Sequence, residues 1–340
     1  RPIRAASKPV FQPAKQVQLL SMTWTNQPLT VDSRLLLAWY AIIPLCFVAI
    51  GLDIAFFNGA MAKALPAKPE DYLWFLFLFN LPHIMGSLVT YADKDYVRAY
   101  KQPLLTGFAI SILVPAAFLA VGAINAFFIF IAFYTVYHVL MQQYGISLML
   151  LKRPANIAFV AWRWLSIIAA CVLYLHVYRV DAIAAWTSVS LMFIGKALVV
   201  ASLPFGLMFL AEALKAPGIS KTSKWYFVAT FFIVPASCVA AMIGYPFFLV
   251  LIPRFIHDAS AFTIYAAHDH NRNLTTHHNV IYRALKPLRV PPVILCIPLA
   301  IALAWYFTAY QYESPVVMFC LVVFMLLHYH MEGHMWKRGT

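Results

Sequence analysis

Ten long apolar runs constrain this chain more than any other feature of its sequence. Each holds about 20 predominantly apolar residues, the length that an α-helix needs to cross the hydrocarbon core of a bilayer. Of the 340 residues, 63% are hydrophobic and 11% are charged, whereas soluble domains have about 45–50% apolar and about 25% charged residues. A soluble protein could not bury this apolar excess, so the sequence predicts an all-α, polytopic transmembrane helical bundle. The predicted spans are 34–57, 71–92, 103–123, 125–151, 155–178, 183–213, 225–243, 246–269, 291–309 and 315–336.

The distribution of basic residues predicts the orientation of the bundle. The chain has 25 Lys and Arg residues against 12 Asp and Glu residues, a formal net charge of +13. With the N-terminus inside, all but six of the 25 fall in segments that face the cytoplasm, and the positive-inside rule therefore favours cytoplasmic N- and C-termini. Because topology and anionic headgroups account for this charge, nucleic acid is not expected as a partner. The six exceptions are Lys63, Lys68 and Arg179 in outer segments and Arg163, Lys196 and Arg254 within spans.

The sequence predicts one transmembrane domain, residues 34–336. A polar, basic segment (1–33) precedes it and a short cytoplasmic tail (337–340) follows it. The first segment lacks the apolar stretch of a signal peptide. The five cysteines lie in apolar runs and include no CxxC pair, so neither a disulfide framework nor a thiolate metal site is indicated. We expect an integral protein of a bacterial inner membrane, surrounded by the lipid bilayer.

Histidines carry the chemistry of these spans. Ten of the 11 lie on, or just beyond the inner ends of, the even-numbered predicted spans, and the exception, His176, fits an interfacial anchor. An imidazole in lipid is costly unless it faces the bundle, pairs or binds a ligand. Histidines at overlapping depths on four helices therefore indicate a common site, and His277 and His278 lie at its inner mouth. The candidate metal ligands are His83, His138, His257, His268, His270, His328, His330, Glu332 and His334.

Helical spacing refines this group on the eighth span. His257 and His268 are eleven residues apart, which brings them to within about 20° of one helix face. Asp258 follows His257 directly. On the fourth span, His138 and Gln142 are i,i+4, so the amide could orient the imidazole. We expect His83, His138, His257 and His328 to converge, with His268 and Glu332 nearby.

The tenth span carries two i,i+4 pairs, His328 with Glu332 and His330 with His334. Such a pair is a standard bidentate platform for a divalent metal, because both side chains overhang the same turn. The two pairs project from nearly opposite sides of the helix, so at most one should face the bundle. Nitrogen and carboxylate ligands suit iron, zinc or manganese, and iron is the metal that we favour. A metal-free network of hydrogen-bonded side chains is the alternative.

Four segments resemble motifs of uncharacterised bacterial polytopic membrane proteins that have intramembrane histidines: Asn80–Ser87, Tyr137–Gly145, His257–Arg272 and His328–Lys337. More loosely, the pattern is similar to the histidine boxes of membrane non-haem di-iron desaturases, hydroxylases and alkane monooxygenases. Those proteins have HxxxH and HxxHH boxes near the cytoplasmic face, whereas the histidines of this chain follow other spacings and include deeper positions. The resemblance implies a membrane oxidoreductase with iron held by histidines.

The function that these features favour is a non-haem iron oxidoreductase of the oxygenase, desaturase or hydroxylase type. It would act on a lipophilic small molecule that arrives through the bilayer, with an electron donor or other membrane subunits as partners. Three alternatives remain open from the sequence. They are a haem-binding protein with axial histidines, a transporter that moves protons or metal along a histidine relay, and a non-catalytic subunit of a larger membrane complex.

The predicted topology can be tested by cysteine labelling. Arg283→Cys, in the predicted inner loop 273–286, should react with a membrane-impermeant maleimide in inside-out vesicles and not in intact cells. Lys63→Cys, in an outer segment, is the matched control and should react in intact cells. Labelling of Arg283→Cys from the periplasm would contradict the assignment of ten spans in this register.

Overall fold

The computed structural model describes residues 28–66, 71–178, 185–274, 278–288 and 290–335. Most of these residues are helical. The β-type pairing found among the described residues is a single isolated bridge between Asp93 and Asn279. The predicted all-α class is thereby confirmed. The helices are α1 (Ser33–Phe56, with a 3-10 turn at Trp39–Ala41), α2 (Ala60–Ala64), α3 (Leu73–Phe75), α4 (Leu81–Tyr91), α5 (Lys94–Ala99), α6 (Lys101–Ala120), α7 (Ile124–Leu151), α8 (Ile157–Tyr178), α9 (Ala185–Lys215), α10 (Lys221–Met242), α11 (Pro246–Arg272), α12 (Val280–Ala284), α13 (Pro292–Tyr310) and α14 (Pro315–Met335).

Eight of the described helices, α1, α6 to α11 and α14, are long and apolar enough to cross a membrane. They coincide with eight of the ten predicted spans, and they identify an integral membrane protein. The other two predicted spans are also helical. The span 71–92 corresponds to α3 and α4, joined by a π-helical segment at Leu76–Asn80. The span 291–309 corresponds to α13, whose apolar part is the shorter Ile294–Tyr310. The number of ten spans and the orientation of the bundle stay predictions. The terminal segments also stay predictions, because residues 1–27 and 337–340 lie outside the described residues.

Large aromatic side chains fill the core of one compact unit, which comprises Leu36–Asn80 and Ile112–Ala259. Trp162 of α8 is almost fully buried. Its ring centroid lies 4.7 Å from that of Tyr144 on α7 and 5.4 Å from that of Phe227 on α10. Aromatic pairs of this kind stabilise a core beyond the area they bury. Because lipid tails are as apolar as the side chains, such packing is what holds membrane helices together.

Two glycines allow α9 to approach its neighbours in this unit closely. A Cβ atom at Gly195 would lie 2.6 Å from Cδ2 of Leu173 on α8, and one at Gly206 would overlap the rings of Phe231 and Trp162. Small residues are common where membrane helices cross, since they let the backbones come near each other. The contact between α9 and the aromatic core therefore requires glycine at position 206.

A buried hydrogen-bond network joins α1, α7 and α10 in the same unit. Oε1 of Gln143 accepts hydrogen bonds from the hydroxyls of Tyr40 at 2.9 Å and Tyr226 at 2.7 Å. The Tyr40 hydroxyl also lies 2.7 Å from Oγ1 of Thr230, to which Ser147 donates at 3.1 Å. Polar groups among apolar helices need partners within the protein, so this network sets the register of the three helices.

The other compact unit comprises the described residues of 1–35, 81–111 and 260–340. Asn279, which is fully buried, attaches the segment after α11 to α4. Its Nδ2 donates to the carbonyl of Val89 at 2.6 Å, while its Oδ1 accepts from the backbone N–H groups of Ile281 and Tyr282 and so caps α12. The buried amide thus begins one helix and fixes it to another.

An ion pair supports the same attachment. The guanidinium of Arg272 at the end of α11 donates to both carboxylate oxygens of Asp93, at 2.7 and 3.1 Å. Burial by itself raises the pKa of Asp93, but the hydrogen bonds from Arg272 and from the backbone of Tyr96 and Asp95 outweigh it and bring the pKa below its usual value. Asp93 is therefore a carboxylate at neutral pH, where it also caps α5.

A pair of glycine substitutions tests the packing of α9. Gly206→Ala should lower the melting temperature of the protein in detergent by several degrees, because the added methyl group overlaps Phe231 and overpacking costs about 1–3 kcal/mol. Gly145→Ala is the matched control, since nothing lies within 4 Å of a Cβ there and alanine is the better helix former. Equal melting temperatures for the two variants would contradict this description of the core.

Candidate metal centre

Four histidines on four helices form two edge-to-face ring pairs. His138 of α7 and His257 of α11 have ring centroids 4.6 Å apart. His83 of α4 and His328 of α14 have ring centroids 4.9 Å apart. None of the four is more than 6% exposed. All four imidazoles therefore lie in the protein interior.

The same four histidines form one group that could hold a metal ion. Each offers one ring nitrogen, and these nitrogens lie within 4.8 Å of one another. Nitrogens that bind one ion at about 2.1 Å can be at most about 4.2 Å apart, so ring movements of less than about 1 Å would complete a coordination shell. Imidazole is a suitable ligand for iron, zinc, copper and nickel. We call His83, His138, His257 and His328 the four-histidine cluster.

A π-helical segment and a buried arginine lie next to two of these ligands in the chain. The segment Leu76–Asn80 ends three residues before His83, and π-helical turns are frequent at functional sites. Oδ1 of Asn80 accepts a hydrogen bond of 2.6 Å from Nη2 of Arg254, which is three residues before His257. This bond joins the π-helical segment to α11, and each of its two residues precedes a histidine of the chain by about one turn.

The hydrogen bonds around Ser87 determine which nitrogen of His328 could bind a metal. The Ser87 hydroxyl donates its only proton to the carbonyl of Ile84 at 2.7 Å. The same hydroxyl lies 2.9 Å from Nδ1 of His328. With its proton on the Ile84 carbonyl, it accepts the Nδ1 proton of His328, and the lone pair of that ring is then on Nε2. A partner that fixes the tautomer in this way is typical of histidines that bind metals.

Two buried carboxyl groups lie beside the cluster. Oε1 of Glu332 accepts a hydrogen bond of 2.6 Å from the Tyr265 hydroxyl and is 3.8 Å from Nε2 of His328. Oδ1 of Asp258 is 4.0 Å from Nε2 of His257. A buried cation is costly unless charges of opposite sign compensate it. These carboxyl groups are positioned to compensate a divalent ion, and Glu332 lies within reach of an ion that His328 binds.

The remaining candidates on and after α11 lie outside the four-histidine cluster. His268 is exposed, and its ring centroid lies 6.1 Å from that of Tyr96 on α5. His270 is buried two residues further along. His278 is also exposed, with Nδ1 3.0 Å from a carboxylate oxygen of Asp95. His277 lies outside the described residues. Among the described residues, His268 and His270 near the end of α11 and His278 after it are not members of the four-histidine cluster.

The structure also distinguishes the two pairs on α14. His328 and Glu332 are almost completely buried, and His328 belongs to the cluster. His330 and His334 are half-buried, with ring centroids 4.6 Å apart. This difference in burial agrees with the expectation that at most one of the two pairs faces the bundle. The pair at the cluster is His328 with Glu332.

Sequence reasoning missed the polar side chains that orient the ligands, although spacing contains part of the signal. Ser87 follows His83 by four residues and therefore shares its helix face. Tyr265 follows His257 by eight residues and lies near the same face. Neither position identifies its partner, since the contacts to His328 and Glu332 come from a different helix.

Comparisons with protein-family models, with curated proteins and with solved structures found no match to this chain.

Proposed function

We propose that this protein is a membrane metalloenzyme, a non-haem iron oxidoreductase of the oxygenase, desaturase or hydroxylase type. The observation that supports the proposal is the four-histidine cluster, whose ligand nitrogens come from four helices and lie within 4.8 Å of one another. A buried imidazole among apolar helices is costly unless it has a partner or binds a ligand. One metal ion bound by all four imidazoles would be a ligand common to the whole group.

The ring geometry favours a single ion over haem. A haem needs a wide, flat slot between its two axial histidines. In the cluster, the rings meet edge to face in pairs, with centroids 4.6 Å apart for His138 and His257 and 4.9 Å apart for His83 and His328. Because the rings of each pair touch, they leave no slot for a haem between them. The four ring nitrogens lie close together, which favours one ion bound directly by imidazoles.

The number of nitrogen ligands favours iron over zinc. Four imidazoles complete the tetrahedral shell of zinc, which has no redox chemistry, and such closed sites are structural. Ferrous iron accepts six ligands, so four histidines leave two positions for dioxygen and a substrate or for Glu332. When bound, iron would supply the redox chemistry. The role of the chain is to orient the ligands, to compensate charge through Asp258 and Glu332, and to exclude water.

The surroundings favour a lipophilic substrate. Two of the helices that carry the cluster, α7 and α14, expose apolar side chains such as Phe128 and Phe319. An acyl chain, alkane or terpenoid could therefore approach them from the bilayer without leaving an apolar phase. Electrons would come from a soluble donor or another membrane subunit at the cytoplasmic face. The bacterial inner membrane, with both termini in the cytoplasm, is the location that we propose for this reaction.

Replacing His257 tests the metal site. His257→Ala should lower the affinity for iron by about 10–100-fold, because the ring is buried and no nearby solvent can replace the lost ligand. The measurement is metal content by mass spectrometry, together with an absorption spectrum, of the purified full-length protein. His176→Ala is the matched control, since this half-buried histidine lies on α8, away from the cluster residues in sequence.

The outcomes separate the candidate functions. Iron without a Soret band, lost in His257→Ala and kept in His176→Ala, is the expected result. A Soret band would contradict the non-haem site. Equal metal content in the two variants, each folded and present at wild-type level, would contradict the metal site altogether and favour the metal-free hydrogen-bonded network.

The tautomer of His328 gives an independent prediction. Ser87→Ala removes the acceptor of the Nδ1 proton and should lower iron affinity by about tenfold, less than the loss of a ligand. Ser111→Ala is the matched control, because Ser111 is also fully buried and also donates to a backbone carbonyl, that of Gly107 at 2.7 Å. Equal affinity in both variants would show that Ser87 does not orient a ligand.

A further inference from the structure

A second pair of histidines has the geometry of a metal site of its own. His330 and His334 are one turn apart on α14, and their ring centroids are 4.6 Å apart at an interplanar angle of 51°. With metal–nitrogen bonds of about 2.1 Å, an ion bound by two imidazoles at right angles sets the ring centroids about 4.5 Å apart. The separation of the two rings is therefore compatible with a common ion.

A glycine on the neighbouring helix makes room for one of these rings. A Cβ atom at Gly107 of α6 would lie 2.6 Å from Cδ2 of His330 and 3.0 Å from Cδ1 of Leu327. The imidazole of His330 thus packs directly on the backbone of α6, at a position where any larger residue would displace it. This close packing limits the rotamers of the ring, so less entropy is lost when it binds an ion.

The pair is separate from the four-histidine cluster. His330 is two residues from His328, which rotates its side chain by about 200° around the helix axis. His328 is fully buried, whereas His330 and His334 are both half-buried. His330 and His334 are therefore more accessible than the buried histidines of the cluster.

We propose that His330 and His334 bind a second divalent transition-metal ion, with water completing its coordination. Two imidazoles one turn apart on a helix favour Cu²⁺, then Ni²⁺ and Zn²⁺, over Fe²⁺ and Mn²⁺. With two protein ligands instead of four, this site binds more weakly than the cluster and exchanges its ion with a chelator. The proposal goes beyond the proposed function and does not depend on which metal the cluster binds.

Copper binding to the full-length protein tests this site. The protein is purified in lipid nanodiscs, and Cu²⁺ is titrated against a competing chelator while electron paramagnetic resonance reports nitrogen ligation. Wild type should bind one more exchangeable Cu²⁺ than His334→Ala or His330→Ala. Gly107→Leu should also lose this ion, although it keeps both histidines, because the added side chain displaces the His330 ring. His176→Ala should bind as wild type.

We call the metal that remains bound after washing with chelator the chelator-resistant metal. In the same samples it reports on the four-histidine cluster, and its presence shows that a variant is folded. If His334→Ala and wild type bind the same amount of exchangeable Cu²⁺, the second site does not exist. If His334→Ala also loses the chelator-resistant metal while remaining folded, the pair belongs to the cluster and the proposal is wrong. If His257→Ala leaves the chelator-resistant metal unchanged, the proposed function fails and the second site stands on its own result.

Discussion

The cost of polar groups in an apolar environment is the constraint on which the rest of this structure depends. Each polar side chain in the bundle must find a partner inside the protein. Gln143 does so by accepting two tyrosine hydroxyls, Asn279 by capping α12 and binding the backbone of α4, and His328 through Ser87. The four histidines of the cluster lie in the same buried environment, and their ring nitrogens lie close enough together that they could hold one metal ion.

The apolar packing provides the rigidity that such a site needs. Because lipid offers no hydrophobic driving force between helices, close contact has to come from shape. In one unit, Gly206 lets α9 reach the rings of Phe231 and Trp162. In the other, the hydrogen bonds of Asn279 and the ion pair of Arg272 with Asp93 hold the chain after α11 against α4. Both arrangements restrict the rotation of helices that carry candidate ligands, and a metal site requires ligands placed to within about 0.5 Å.

The electrostatics of the cluster are as specific as its ligands. Four neutral imidazoles contribute no charge, so a divalent ion among them needs compensation from elsewhere. Glu332, held by the Tyr265 hydroxyl, and Asp258, next to His257, are the nearby carboxyl groups. His330 and His334 of α14 are half-buried, whereas His328 of the same helix is fully buried, so the two groups of histidines differ in their surroundings.

The sequence by itself determined the all-α class, eight of the helices that can span a membrane, and the identity of the histidines that converge. It could do so because bilayer thickness sets the length of an apolar run, and because the positions of the histidines along four such runs predicted similar depths for them. It did not show the π-helical segment before His83 or the contacts of Ser87 and Tyr265. Helical periodicity fixes the direction of a side chain relative to its own helix, whereas the rotation of each helix and the identity of its neighbour follow from packing among residues far apart in the chain. Only the tertiary structure showed that Ser87 lies against His328 and that His330 lies against Gly107.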